Sequence, residues 1–142
     1  MGVRNDDFGS GEFKARRTNA AGKVYPHSGT DYLCVVGQAV VAPISARYIR
    51  VARPYANCER YSGAVFISDD IEVKMFYVMP TIKLGTHVAR GQVVGYAQDI
   101  AARYNSDSES RKMLPHVHME ITKINPEVLM INESPQLWKE LS

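Results

Sequence analysis

From residue 32 onward, the chain consists largely of short apolar runs, each bounded by Gly, Pro, Asn or Asp. Such runs predict β-strands, because β-branched and aromatic side chains pack well on a pleated sheet and the residues between them favour turns. Short connections favour antiparallel neighbours. We therefore predict a mainly β, compact antiparallel domain whose packed fold starts near Tyr32. The runs are YLCVV, AVVAPI, RYIRVA, GAVFIS, EVKMFYV, HVARGQVVGYA and HVHMEIT.

The segments on either side of these runs have different compositions. Residues 1–26 are polar and rich in Gly, Asn and Arg with no sustained period, which predicts an extended N-terminal arm. The core domain then covers 27–124. Within it, Asp99 could cap a short helix that leads into an exposed polar loop. Residues 125–142 form a C-terminal tail, in which Ser134 as cap and Pro135 at the first position predict a short helix.

Charge and hydropathy exclude several classes of function. The 17 basic and 15 acidic residues give a net charge of +2, and the basic residues form no stripe, so nucleic acid is not a predicted partner. No stretch approaches the roughly 20 apolar residues of a membrane span, and the N-terminus lacks the apolar core of a signal peptide. We expect that the chain either works where it is made or has lost a leader. Cys34 and Cys58 could form a disulfide or remain free thiols.

Two short histidine motifs suggest a metal site. In PHVHME, His116 and His118 lie one residue apart, so on a strand they share a face. In HSGTD, Gly29 permits a turn that brings His27 and Asp31 together. Each motif alone is more commonly structural: a hydrogen-bonded turn in one case and a surface pair in the other. Together they supply two histidines and a carboxylate, the ligand set of a catalytic zinc site, with one histidine left beside it.

These motifs also carry a family resemblance. HSGTD, VVAP, GTHVARGQVVG and HVHME, within residues 27–121, resemble the lysostaphin/LytM-type zinc metallopeptidases, and HSGTDYLC and KMFYVMP look most like the chemotaxin-like members and their bacterial and phage relatives. The resemblance implies that His27, Asp31 and His118 bind Zn2+ in a shallow groove and that His116 is the general base. It further implies cleavage of peptidoglycan peptides, and therefore an extracellular, cell-wall-facing location.

One feature departs from the family. Active members have a Tyr-x-His motif whose histidine stabilises the developing oxyanion; if Tyr77 matches the tyrosine, Met79 takes the histidine position. A thioether cannot donate a hydrogen bond. His87 is the other candidate, but it lies in a hairpin expected away from the metal. The alternative function is thus a non-catalytic, chemotaxin-like module that uses zinc to brace a surface for another protein or a glycan. We also predict that Tyr77 contacts the substrate.

Two further observations leave their interpretation open. Arg16 and Arg17 precede the first metal motif and could bind a substrate carboxylate, although solvation of the arm is the favoured interpretation. The stretches VGQAVVAP and RGQVVGYA share Gly-Gln before a strand, which predicts two similar hairpins. A last hypothesis, assembly into a phage tail or baseplate, would account for the absence of a leader.

Overall fold

The structure is a computed structural model that describes residues 2–19, 21–69, 71–105 and 112–124. Antiparallel strands dominate it, and every predicted apolar run contributes at least one strand. The predicted mainly β class is confirmed. The elements are β1 (Asn5–Asp6), β2 (Gly9–Ser10), β3 (Arg16–Thr18), β4 (Val24–Pro26), β5 (Thr30–Leu33), β6 (Ala39–Val41), β7 (Ala46–Ala52), β8 (Gly63–Ile67), β9 (Ile71–Phe76), β10 (Val78–Pro80), β11 (His87–Val88), β12 (Val93–Ala97), α1 (Ala101–Asn105) and β13 (His116–Ile124).

The main sheet has six strands in the order β11-β7-β8-β9-β13-β5. Strand β13 lies between β9 and β5 and is antiparallel to both, so its side chains have neighbours on two sides. Its register places His118 opposite Asp31 on β5 and Phe76 on β9. Directly opposed residues share a face of the sheet, so this register puts two predicted metal ligands next to each other.

A second sheet, β10-β12-β6, explains the repeated Gly-Gln sequence. Gly37 and Gly91 both have positive φ, at 81° and 87°, in the turns that precede β6 and β12. The side chain of Gln38 accepts a hydrogen bond from the backbone of Val35, and Gln92 closes the second turn in the same way. The two turns therefore share one mechanism, and the strands that follow them pair with each other.

The N-terminal segment belongs to the packed structure. Strands β1 and β2 form one short hairpin and β3 and β4 another. Backbone hydrogen bonds also join this segment to β5: Arg4 N–H donates to the Asp31 carbonyl at 2.7 Å, and Asp31 N–H donates to the Gly11 carbonyl at 2.8 Å. The expectation that the packed fold starts near Tyr32 is therefore wrong. The segment is held by backbone pairing, which leaves no apolar period in the sequence.

The predicted cap before the short helix is confirmed, since the Asp99 carboxylate accepts a hydrogen bond from Ala102 N–H at 3.1 Å at the start of α1. The predicted C-terminal helix, with its cap Ser134, lies outside the described residues. Cys34 and Cys58 are free thiols. Burial raises the pKa of the half-buried Cys34 thiol to about 11. In the part of the chain that the structure describes, α1 is the one helix, and it lacks the length and apolar content to cross a membrane.

Candidate metal centre

Three elements bring the predicted metal ligands together. His27 follows β4, Asp31 lies on β5 and His118 lies on β13; one ligand atom from each falls within 4.8 Å of the others, and all three residues are buried. Gly29 makes this approach possible. A Cβ at that position would collide with the Met119 carbonyl and would lie 2.9 Å from Cε1 of His118. The glycine in HSGTD therefore lets the turn pack directly against β13.

Each of the two histidines has one ring nitrogen that faces an oxygen outside the ligand group, within hydrogen-bond distance for His27 and at ion-pair distance for His118. His27 Nδ1–H donates to the Glu12 carbonyl at 3.0 Å, so the Nε2 lone pair points toward His118, whose Nδ1 is 3.2 Å away. His118 turns Nδ1 to Asp31 Oδ1 at 2.8 Å and Nε2 to Glu120 Oε1 at 3.6 Å. Metal-binding histidines commonly donate their second N–H to a carbonyl or carboxylate. This donor set therefore fits Zn2+, with His27 Nε2, His118 Nδ1 and Asp31 Oδ1 as ligands.

The electrostatics favour an ionised carboxylate at the centre. Burial alone would raise the pKa of Asp31, but the hydrogen bond from His118 and the neighbouring imidazoles outweigh burial and lower the pKa to about 2. For His118, the hydrogen bond to Asp31 and the nearby Glu120 carboxylate outweigh burial and raise the pKa. Burial lowers the pKa of His27 despite the nearby Asp31. The carboxylate is thus available to a cation over a wide pH range.

Arg4 holds the carboxylate from behind and was missed by sequence reasoning. Its Nε and Nη2 donate to Asp31 Oδ2 at 3.2 and 3.1 Å, and its Nη1 pairs with Asp6 Oδ1 at 2.6 Å. Arg4 is almost fully buried. By occupying Oδ2, it leaves Oδ1 facing the histidines. A single arginine in a polar arm gives no local signal of this contact, because the pair forms between residues far apart in sequence.

His116 lies beside the three candidate ligands with a free ring nitrogen. Its Nδ1–H donates to the Leu114 carbonyl at 2.9 Å, so Nε2 bears the lone pair and lies 3.9 Å from Asp31 Oδ2. Burial lowers the pKa of His116, although Asp31 opposes the shift. The residue is therefore neutral near pH 7 and able to accept a proton at Nε2.

Tyr77 packs edge-on against His116, with 5.5 Å between the ring centroids. It has φ of 69°, a left-handed conformation that costs a non-glycine residue roughly 1–3 kcal/mol. The main sheet ends at this residue and the second sheet begins, and Ser62 accepts hydrogen bonds from Tyr77 N–H and the next N–H. Burial raises the pKa of Tyr77 to about 12, so its hydroxyl stays protonated. It lies 3.5 Å from the Tyr55 hydroxyl.

The other two candidate residues lie elsewhere. Met79 is on β10 opposite Tyr96 and is half exposed, with its sulfur 4.0 Å from the Ser62 hydroxyl. His87 is exposed on β11 opposite Arg47. Neither is among the described residues that line a cavity next to the candidate metal ligands. The structure thus gathers three of the four histidines and separates the fourth.

The three candidate ligands and His116 line a cavity of about 500 Å³, here called the site cleft. Arg17 lines it and is largely buried, 3.6 Å from Asp31 Oδ2, while Arg16 on the same strand is exposed. The favoured interpretation that both arginines are solvated is therefore wrong for Arg17. The lining residues are Arg4, Phe8, Arg17, Thr18, Tyr25, His27, Ser28, Asp31, Tyr55, Phe76, Tyr77, Tyr104, Met113, His116 and His118.

Known proteins are similar to this chain in sequence or in fold. The chain is 28% identical over 116 residues to leukocyte cell-derived chemotaxin-2 of Mus musculus, across 81% of this chain and 69% of that protein. The catalytic domain of the antimicrobial peptidase lysostaphin from Staphylococcus simulans aligns with a TM-score of 0.53 and 17% identity, over 81% of this chain and 80% of that one. The catalytic domain of the prophage-encoded protein EnpA from Enterococcus faecalis aligns with a TM-score of 0.53 and 21% identity, over 87% and 82%. No protein-family model matches.

These comparisons confirm the resemblance predicted from the motifs. The chain has the fold of the lysostaphin/LytM-type peptidase domains, and its sequence is similar to chemotaxin-2. Together with the His27, Asp31 and His118 group, which could hold a metal ion, the fold makes the site cleft the candidate functional centre.

Proposed function

We propose that this chain, which has the lysostaphin/LytM-type fold, is a zinc-dependent endopeptidase directed at peptidoglycan peptides, or a weakened descendant of one. The observation that carries the proposal is the buried group of His27, Asp31 and His118, with a neutral His116 beside it. The structural relatives support it, because lysostaphin is named as an antimicrobial peptidase. The proposed substrate is therefore a peptide that crosses the site cleft.

The proposed chemistry assigns a role to each residue. Bound Zn2+ would supply a Lewis acid that lowers the pKa of a water to about 7 and polarises a carbonyl. His27, Asp31 and His118 would hold it. His116 accepts the proton of the attacking water at Nε2, and the Leu114 carbonyl holds its Nδ1–H in position. The same imidazole then passes the proton to the leaving amine.

Tyr77 is proposed to replace the donor lost at Met79. Its hydroxyl remains protonated because its pKa is raised, and its ring contacts His116. A phenol in this place can donate a hydrogen bond to the carbonyl oxygen of the substrate as negative charge develops there. The strained backbone of Tyr77 supports this role, since such strain is commonly retained at functional sites.

The test is hydrolysis of purified peptidoglycan and of pentaglycine by zinc-loaded protein, with metal content measured in every variant. His116→Ala should lower the rate about 100- to 10,000-fold with zinc retained, because a general base is removed. Tyr77→Phe should lower it about 100- to 1,000-fold, because an oxyanion donor is removed. His87→Ala is the matched control and should keep full activity. A fully active His116→Ala variant would refute the proposed base.

The second candidate is a non-catalytic, chemotaxin-like module. The exposed Met79 at the expected histidine position favours it, as does the similarity to chemotaxin-2. In this case Zn2+ braces the site cleft for another protein surface or a glycan. One bound zinc per chain, no cleavage, and a partner whose binding disappears with a chelator would establish this function. Cleavage that depends on His116 would exclude it.

The proposed location follows from the proposed substrate. A peptidoglycan-directed domain works at the cell wall or in the extracellular space, and one carried on a phage tail or baseplate reaches the wall within the particle. The prophage-encoded relative EnpA supports the second route. Sedimentation of the chain with purified particles would support assembly into a virion, whereas recovery as an unassociated monomer would argue against it.

A further inference from the structure

Arg17 has a buried nitrogen that lacks a hydrogen-bond partner. In the part of the chain that the structure describes, Arg17 Nη2 is the buried side-chain polar atom left without one. Its nearest ionic neighbour, Asp31 Oδ2, is 3.6 Å away, which is too long for a hydrogen bond. Buried donors are nearly always satisfied, because a buried donor without an acceptor has lost its hydrogen bond to water and gained none in return. The unsatisfied nitrogen therefore points to an acceptor that enters from the site cleft.

Asp31 cannot serve as that acceptor, because its oxygens are already in use. Oδ2 accepts two hydrogen bonds from Arg4, and Oδ1 faces His118. Arg4 also pairs with Asp6, so its own charge is well compensated. The charges of the two arginines are balanced by the two aspartates before any cation binds. A divalent cation at the ligand set would leave the site cleft with excess positive charge, which favours an anionic ligand.

The position of Arg17 limits where that anion lies. Its guanidinium approaches the same carboxylate whose other oxygen faces the metal ligands. One peptide residue spans at most about 3.6 Å, so a group bound by Arg17 lies within one or two residues of a carbonyl at the ligand set. The planar fork of an arginine matches a carboxylate, to which it can donate two parallel hydrogen bonds.

We infer that Arg17 is a substrate-recognition residue for a free C-terminal carboxylate, so that the site cleft selects peptides that end within one or two residues of the bond at the metal. This inference rests on the premise of the proposed function that a peptide occupies the site cleft, and it moves the predicted cleavage from the interior of a long peptide to a bond close to a free C-terminus. Thr18 and Ser28 also line the site cleft.

The neighbouring Arg16 provides a matched control. It lies on the same strand, and its substitution changes the charge by the same amount, but its side chain is exposed and alternates to the opposite face. If only long-range electrostatics attracted the carboxylate, substitution of either arginine would weaken its binding to a similar extent. If Arg17 binds the carboxylate directly, only substitution of Arg17 should weaken its binding.

The experiment measures binding, so it does not depend on catalysis. Dissociation constants of N-acetyl-glycylglycine and of its C-terminal carboxamide are measured by NMR titration of the zinc-loaded full chain, with zinc content and circular dichroism recorded for each variant. Wild-type protein should bind the acid about 10- to 100-fold more tightly than the amide, as expected for hydrogen bonds to a charged group. Arg17→Gln should lose this preference, and Arg16→Gln should keep it.

Several results would overturn the inference. Equal affinity for acid and amide in the wild type would do so, as would no detectable binding of either peptide. A preference that persists in Arg17→Gln would attribute carboxylate binding to the metal instead of the arginine. Failure of the proposed peptidase is separable, because a protein that cleaves nothing but shows the Arg17-dependent preference keeps the inference and loses the catalytic proposal.

Discussion

The two faces of strand β13 are almost equally buried but make opposite kinds of contact. On one face, Val117 and Met119 are 1% and 6% exposed and join the apolar core. On the other, His116 and His118 are 4% and 7% exposed and face Asp31 and the site cleft. Burial alone therefore does not distinguish the faces. An apolar side chain needs only volume around it, whereas each buried polar atom needs a partner at the right distance and angle.

This difference has an energetic consequence. The core face stabilises the fold through the transfer of apolar surface out of water. The site face buries two imidazoles and a carboxylate, which interact favourably but lose hydration, so its net contribution to stability is smaller than that of the core face. We expect substitutions on the core face to change stability and substitutions on the site face to change metal binding. Three measurements test whether the two faces act separately, and they are given in decreasing order of expected effect.

His118→Ala tests the site face. It removes one of three candidate ligands, and we expect zinc affinity to fall on the order of 1,000-fold, beyond the 10- to 100-fold typical of an outer hydrogen-bond partner. Competition with a chromogenic chelator gives the affinity, and elemental analysis gives the stoichiometry. His87→Ala, on exposed β11, should bind zinc like the wild type. Unchanged zinc content in His118→Ala would exclude the proposed site.

Met119→Ala tests the core face of the same strand. Truncation of this buried side chain should lower the free energy of unfolding by about 2–5 kcal/mol, since it removes apolar contacts and leaves a cavity. Urea denaturation measures the change, and zinc stoichiometry below the transition should remain that of the wild type. Met79→Ala, at a half-exposed position, should cost less than about 1 kcal/mol. Loss of zinc from folded Met119→Ala would show that the two faces are coupled.

Acid titration of the metal-free protein tests the Asp31 carboxylate opposite His118. The folded pKa of Asp31 is about 2, below the ordinary value of 3.8. Its contribution, about 2 kcal/mol, is therefore present above pH 3.8 and lost as the pH falls through about 2. Urea unfolding of wild-type protein and Asp31→Asn across this range should show the steeper acid loss in the wild type. Parallel curves would contradict the assigned pKa.

The stability contributed by His118, the partner of Asp31, depends on pH in the opposite direction. Its folded pKa is raised, so the stability it contributes to the metal-free protein is fully present below the ordinary pKa of 6.5 and is lost as the pH rises through the higher folded value. The contribution of the Asp31 and His118 pair should accordingly be largest between the two titrations, at mildly acidic pH, where the lowered pKa values of His27 and His116 oppose it. This follows from the same hydrogen bond between the imidazole and the carboxylate.

Local sequence determined the strands of this protein and the faces of β13. Alternation decides which side chains share a face, and β-branched runs between turn residues decide where strands lie, so both can be read without knowing the partner strands. The Asp99 cap was predictable for the same reason. The histidine motifs also pointed to His27, Asp31 and His118, which the structure brings within ligand distance.

The contacts of the N-terminal segment and of the arginines, by contrast, arise from the tertiary structure. Arg4 and Asp31 are 27 positions apart, and their contact exists because backbone pairing joins the segment to β5. The inward Arg17 and the left-handed Tyr77 likewise depend on neighbouring strands that no local pattern specifies. The apolar period of one element predicts which of its own side chains are buried. An ion pair or a strained turn forms only when two distant segments meet, and no local pattern records that. The chemistry of the site cleft is therefore nonlocal, even though its histidines are visible in the sequence.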